Sequence, residues 1–195
     1  MRPDQSEYLA HFTKGKEAYD SLVSILNTRV IWAGQLPWTK RKAVCFTECP
    51  WSSLLAHAEQ YSPYGVGFKK PRVFAAGGGP AYYVRADHFD KQQWEPDLYT
   101  FVTPFWPAYR PPHLKDEQYL GGKTIDYAHE REWRIPHEFK FEYAHVEFVI
   151  LDSYEDMARF PKELKDVIGR EKFILMDMYR KIEDLWPTHL VGGNG

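Results

Sequence analysis

Cysteine is scarce in this chain of 195 residues: there are two, Cys45 and Cys49. Such a pair cannot build the disulfide framework that staples a small secreted domain. No apolar run approaches the roughly eighteen residues of a membrane-spanning helix, and residues 1–7 carry no apolar signal segment. Charge of one sign is lacking as well, since 25 Lys and Arg face 27 Asp and Glu for a formal net charge of -2. That balance argues against a protein that coats DNA or an anionic membrane with its whole surface, and leaves room for a local basic patch. No Walker loop, Gly-x-Gly-x-x-Gly motif or internal repeat is present, and Gly77-Gly-Gly79 before Pro80 reads as a turn rather than a phosphate cradle. A cytoplasmic protein without membrane contact is the expectation.

The apolar share of 44% and the high aromatic share of 16% suffice for a buried core, which excludes general disorder. One domain over 1–190 is expected, with an aromatic and Pro-rich insertion at 87–123 and a frayed tail at 191–195. In the stretch 16–27, Ala18, Leu22, Ile25 and Leu26 recur at helical steps. Strands are expected at 8–13, 29–33, 43–47, 64–68, 80–85, 130–135, 145–151 and 172–175. Helices are expected from Pro50 to about Tyr61, across 155–168 with a break at Pro161, and across 177–185. A short helical turn at 72–76 should end at Gly77. Gly65 and Gly67 share one face of their strand and leave room there for something to approach. Strands with helices near the ends, rather than in regular alternation, point to an α+β fold.

Among chemistry-bearing residues, Cys45, Cys49 and His57 superficially suggest ligands, but no second ligand pair stands at zinc-finger spacing. A Cys49–His57 nucleophile pair lacks a third group to orient it; no metal is expected. The basic run Lys40, Arg41 and Lys42 fits a solvated loop or a phosphate contact. The aromatics of the insertion could stack on unpaired bases or pack on their own domain. More informative is Glu130-Arg-Glu-Trp-Arg134. Strand alternation would put Glu130, Glu132 and Arg134 on one face. That pattern fits either a polar edge with Arg134 neutralising two carboxylates, or a carboxylate oriented by an arginine to stabilise a positive centre in a substrate. His11 is a second candidate, either a binding residue or a packed histidine.

Taken together, His11-Phe-Thr13, Ser24-Ile-Leu26, Val44-Cys-Phe-Thr-Glu-Cys-Pro50, His57, Tyr64-Gly-Val-Gly-Phe68, Lys70, Pro80-Ala-Tyr-Tyr83 and Glu130-Arg-Glu-Trp-Arg134 resemble the AbiGi family of abortive phage infection proteins. The resemblance covers about residues 8 to 136. It implies a role in antiviral defence within a toxin–antitoxin pair, with a cognate toxin or antitoxin or a phage protein as partner. The chain is similar, too, to ADP-ribosyltransferases of the DarT-like toxin group. That resemblance implies a curved, split antiparallel sheet with peripheral helices, and NAD as a substrate rather than a resident cofactor. His11 and Thr13 would bind the adenosine ribose, and Tyr64 or Tyr83 would stack on nicotinamide. Glu132 would hold the ribose 2′-OH, Glu130 would activate a nucleic-acid or protein acceptor, and Arg134 would orient the pair or grip pyrophosphate. Two departures stand out: no convincing Ser-Thr-Ser motif is present, and the stacking tyrosine is ambiguous. The alternative is a non-enzymatic antitoxin or phage sensor that binds a protein partner, so whether the chain is an enzyme stays open at this point.

Overall fold

A computed structural model describes residues 5–48, 58, 61–109 and 124–185. The chain divides into two compact units, one of residues 1–30, 49–72 and 140–195, the other of residues 31–48 and 73–139. Both mix helices with mainly antiparallel strands, the α+β composition expected from the sequence.

In the first unit the strands run in the order Phe173–Leu175, Phe148–Leu151, Gly65–Lys69, Tyr8–Phe12. The first two are parallel and the remaining neighbours antiparallel. Phe148–Leu151 is buried along its whole length, which explains its unbroken apolar sequence. The helix Ala18–Thr28 buries Ala18, Leu22 and Leu26, the stripe its 3.6-residue period prescribes. Arg29 ends it in the left-handed region at φ 56°. That turn consumes the start of the strand expected at 29–33, of which only Val30–Ile31 is extended. The helices Tyr154–Arg159 and Lys162–Ile168 are separated at Pro161, which has no N–H to continue the ladder. Ser153 caps the first of them by accepting from the Asp156 amide, and Lys165 Nζ closes its far end by donating to the Met157 carbonyl at 2.8 Å.

The room left by Gly65 and Gly67 is filled from within the unit. A Cβ at Gly67 would overlap the ring of Phe148, its register partner, and one at Gly65 would stand 3.1 Å from the Phe12 ring. These glycines therefore admit two phenylalanines of the same sheet.

In the second unit Glu132–Ile135 pairs antiparallel with Lys42–Thr47 on one side and with Gly79–Pro80 on the other. Gly34–Gln35 adds to the far edge of Lys42–Thr47. The strand expected at 130–135 begins only at Glu132. Arg131 adopts φ 45°, and Ala128–Glu130 forms a 3-10 turn, so Glu130 leaves the alternation that was to align it with Glu132. The strand expected at 80–85 is two strands, broken where the Ala81 amide donates to the Glu132 carbonyl at 2.8 Å.

The described part of the expected 87–123 loop is also regular. It holds the short helices Ala86–Phe89 and Pro96–Tyr99 and the strand Val102–Phe105, which pairs in parallel with Tyr82–Arg85. Of the helix expected from Pro50 to about Tyr61, only Ala58, which is buried, and Tyr61, which is half-buried, are described. Cys49, His57, residues 110–123 and the tail 191–195 lie outside them too.

Candidate functional site

The second unit brings together four of the residues singled out by sequence: Tyr83, Glu130, Glu132 and Arg134. Glu132 and Arg134 are two apart on one strand, so their side chains share a face. The guanidinium grips the carboxylate with two parallel hydrogen bonds, Nε to Oε1 at 2.9 Å and Nη2 to Oε2 at 2.7 Å. Arg134 Nη1 donates to the carbonyls of Thr100 and Val102 at 2.9 and 3.1 Å, and Nη2 also reaches Thr103 Oγ1 at 2.5 Å. A guanidinium has five N–H groups, and here all five have acceptors.

That full set accounts for the burial. Only 3% of the Arg134 side chain is exposed, against 14% for Glu132. Removing such an ion from water costs several kcal/mol. Five charge-assisted bonds, two of them to a carboxylate and each worth about 1.5–3 kcal/mol, are of the size needed to offset that cost. Burial works against the Arg134 charge, but the hydrogen bonds and charge of Glu132 outweigh it and raise the guanidinium pKa. The fork occupies one lone pair on each carboxylate oxygen. Glu132 therefore keeps acceptor capacity on its open side, whereas Arg134 has no N–H left for a pyrophosphate.

Glu130 is buried at the end of its 3-10 turn. Its carbonyl accepts from Thr47 Oγ1 at 2.6 Å, and the Glu48 amide donates to the Arg131 carbonyl at 3.3 Å, so the turn is tied to the neighbouring strand at two successive residues. Tyr83 donates its hydroxyl to the Tyr127 carbonyl at 2.9 Å. Burial raises its pKa well above the usual tyrosine range, and the Glu132 carboxylate adds to that rise.

The first unit holds His11, Thr13 and Tyr64. His11 is half-buried on the strand Tyr8–Phe12, in register with Val66. Thr13 is buried, and its hydroxyl lies 2.8 Å from the Ala18 carbonyl and 3.1 Å from that of Tyr64. This hydroxyl ties the start of the first helix to the sheet. Tyr64 meets Tyr19 edge-on at 5.6 Å and donates to Asp156 Oδ2 at 2.9 Å. Asp156 also receives Arg159, whose guanidinium lies 3.9 Å from the centre of the Tyr19 ring. Sequence reasoning missed Asp156, Thr47 and Thr103. For Asp156 a signal existed, because Ser153 stands three residues ahead at capping spacing. Thr47 and Thr103 gain their meaning only from strands far away in sequence.

Lys40, Arg41 and Lys42 are all exposed. Most of the described insertion aromatics pack inward: Trp94 and Tyr99 flank Phe89, and Trp106 is buried, while Tyr109 is exposed. Among the described residues, no group of three or more His, Cys, Asp and Glu side chains is placed to hold a metal ion, and no helix is long and apolar enough to cross a membrane.

No protein-family model matches the chain, and no curated protein matches it either; the AbiGi resemblance therefore rests on its sequence motifs. The structure is similar to solved structures of DarT from Thermus sp. 2.9. The complex with NAD+ gives a TM-score of 0.43 at 16% identity, covering 90% of this chain and 96% of that one. The complex with carba-NAD+ gives 0.39 at 15% identity over the same shares. The complex with ADP-ribosylated ssDNA gives 0.42 at 14% identity, covering 87% and 93%.

Proposed function

We propose that this protein is an NAD-dependent ADP-ribosyltransferase acting on a nucleic acid or a protein in bacterial anti-phage defence. The observation that carries the reading is the Glu132–Arg134 pair: a buried arginine, anchored by Thr100, Val102 and Thr103, grips with its remaining two N–H groups a carboxylate that itself keeps acceptor capacity. Such a carboxylate suits a reaction whose transition state gains positive charge on a sugar ring. The bond between the nicotinamide ribose carbon and nicotinamide breaks, and its electron pair leaves with nicotinamide. Glu132 accepts a hydrogen bond from the ribose 2′-OH, an interaction that strengthens as the ring becomes cationic. A lone pair of the acceptor then forms the new bond to the same carbon, and Glu130 takes the acceptor's proton.

Arg134 is a positioning residue in this scheme. For NAD binding we propose His11 and Thr13 at the adenosine ribose and Tyr64 or Tyr83 against nicotinamide. Tyr83 is favoured, because Glu132 and Glu130 both act on its hydroxyl electrostatically. Thr13 can contribute little through a hydroxyl already turned to the Ala18 and Tyr64 carbonyls. The anti-phage assignment rests on the motif resemblance to abortive infection proteins.

The test is incubation with NAD and assay of free nicotinamide, with and without nucleic acid. Glu132→Gln keeps the shape of the side chain but removes its charge. It should abolish turnover while leaving the affinity for NAD nearly unchanged, because the lost interaction belongs to the transition state. Nicotinamide release at the wild-type rate from Glu132→Gln would overturn the role given to this residue. Silence of the wild type with every acceptor, together with co-purification of a stable protein partner, would favour the non-enzymatic antitoxin or sensor. The exposed Leu98 and Tyr109 would then be the first contacts to examine.

A further inference from the structure

We propose that Thr103 is a positioning residue for the Glu132 carboxylate, acting through Arg134. Its kinetic consequence rests on the reading above; the anchoring itself does not. Of the four groups besides Glu132 Oε1 that receive an Arg134 N–H, two are the backbone carbonyls of Thr100 and Val102, and one is Glu132 Oε2. The fourth is the Thr103 hydroxyl, among the described residues the one side-chain acceptor of Arg134 apart from Glu132 itself.

Thr103 is almost completely buried, and its strand is fixed by parallel pairing, with Thr103 in register with Tyr83. A β-branched residue on a strand has few χ1 options, so the oxygen is held in place before any ligand arrives. The Nη2 nitrogen splits its two N–H groups between Glu132 and Thr103. Without the threonine oxygen, one N–H of a buried cation has no acceptor. The guanidinium then gains by turning toward whatever acceptor it can reach, and the plane that fixes the carboxylate turns with it. The segment 100–103, expected from sequence to be part of a loop, thus acts as the rear support of the proposed catalytic carboxylate.

Two variants separate this role from a general loss of structure. Thr103→Val is nearly isosteric and lacks the oxygen, whereas Thr103→Ser keeps it. The first readout is hydrogen exchange at the Arg134 Nε–H, which donates to Glu132 and not to Thr103. In Thr103→Val this proton should exchange about tenfold faster, the scale expected on losing one hydrogen bond to a charged group. In Thr103→Ser it should stay within about twofold of wild type. The second readout is kinetic. Thr103→Val should lower kcat for nicotinamide release about tenfold with little change in KM for NAD, since orientation of the carboxylate matters most in the transition state.

Unchanged Nε–H exchange in a folded Thr103→Val protein overturns the inference, and so does a Thr103→Ser protein as impaired as Thr103→Val. If exchange responds as expected but the wild type releases no nicotinamide, the anchoring stands and the enzymatic reading falls. If the wild type turns over NAD and Thr103→Val keeps its kcat, the enzymatic reading stands and the positioning role falls.

Discussion

At the scale of single residues, the two units spend their buried polar groups differently. In the second unit one cation is satisfied so that one carboxylate points in a set direction. In the first, the Asp156 carboxylate accepts from Tyr64 and Arg159, while its own amide donates to the Ser153 hydroxyl that caps the helix. Burial, followed by the hydrogen bond to Asp156, pushes the Tyr64 hydroxyl from about 10 up to about 12. The folded state therefore holds this proton more tightly than the unfolded chain does. Its contribution to stability is complete below pH 10 and drains away between about pH 10 and pH 12. Tyr64→Phe should be less stable than wild type at pH 8, by about 1 kcal/mol for one lost hydrogen bond, and the gap should narrow as pH rises through that window. Denaturant midpoints measured from pH 8 to pH 12 test this. The variant should keep part of the alkaline slope through Tyr83 and Tyr19, whose pKa values are also raised. A gap that stays constant over the whole range would show that the Tyr64 proton is not held in this way.

At the scale of elements, close approach of strands to side chains decides more than propensity does. Gly67 faces the Phe148 ring, and the space an added methyl would need is already taken. Gly67→Ala should therefore destabilise the protein by about 1–3 kcal/mol, the usual cost of overpacking. Phe148→Leu in the same chain should recover part of the loss by vacating the space. Thermal melts of the two single variants and the double variant measure the coupling, and strict additivity would mean that the two residues do not compete for one volume. The pair also shows what was legible in the sequence. Two glycines on one strand face announced a close approach, but the approaching group lies some eighty residues away and has no local signal. Local signals succeeded elsewhere: the period of Ala18, Leu22 and Leu26 gave the first helix, and Pro161 gave the break between Tyr154–Arg159 and Lys162–Ile168. They failed where the backbone turns left-handed at non-glycine residues. Arg29 shortened one strand and Arg131 detached Glu130 from another. Of the candidate site, the alternation of Glu132 and Arg134 was visible in advance. The carbonyls and hydroxyl of Thr100, Val102 and Thr103 were not, because parallel pairing of Val102–Phe105 with Tyr82–Arg85 leaves no mark on either strand alone.

At the scale of the whole molecule, the order of segments along the chain makes the first unit depend on its last third. Gly65–Lys69 hydrogen-bonds to Tyr8–Phe12 on one edge and to Phe148–Leu151 on the other. Phe68 on that central strand packs against Phe141 at 5.0 Å. A chain cut after Phe139 removes Phe141, Phe148, Val149, Ile150, Leu151, Phe160, Leu164, Ile168 and Met176, all buried. What returns to water in the fragment is the apolar surface these side chains cover, including Val66 and Phe68; at about 1.5–3 kcal/mol for each core side chain uncovered, that is a large share of the 5–15 kcal/mol that separates a typical folded domain from its unfolded chain. The first unit should therefore not survive the cut, although both of its early strands remain present. Hydrogen exchange on the fragment of residues 1–139 should find the amides of Gly65–Lys69 and Tyr8–Phe12 unprotected, where the full chain protects them. Protection retained at Gly65–Lys69 would mean that the early strands form a stable pair without Phe148–Leu151. An isolated two-stranded pair is at best marginal in water, and this one would expose Val66 and Phe68, both fully buried in the intact chain.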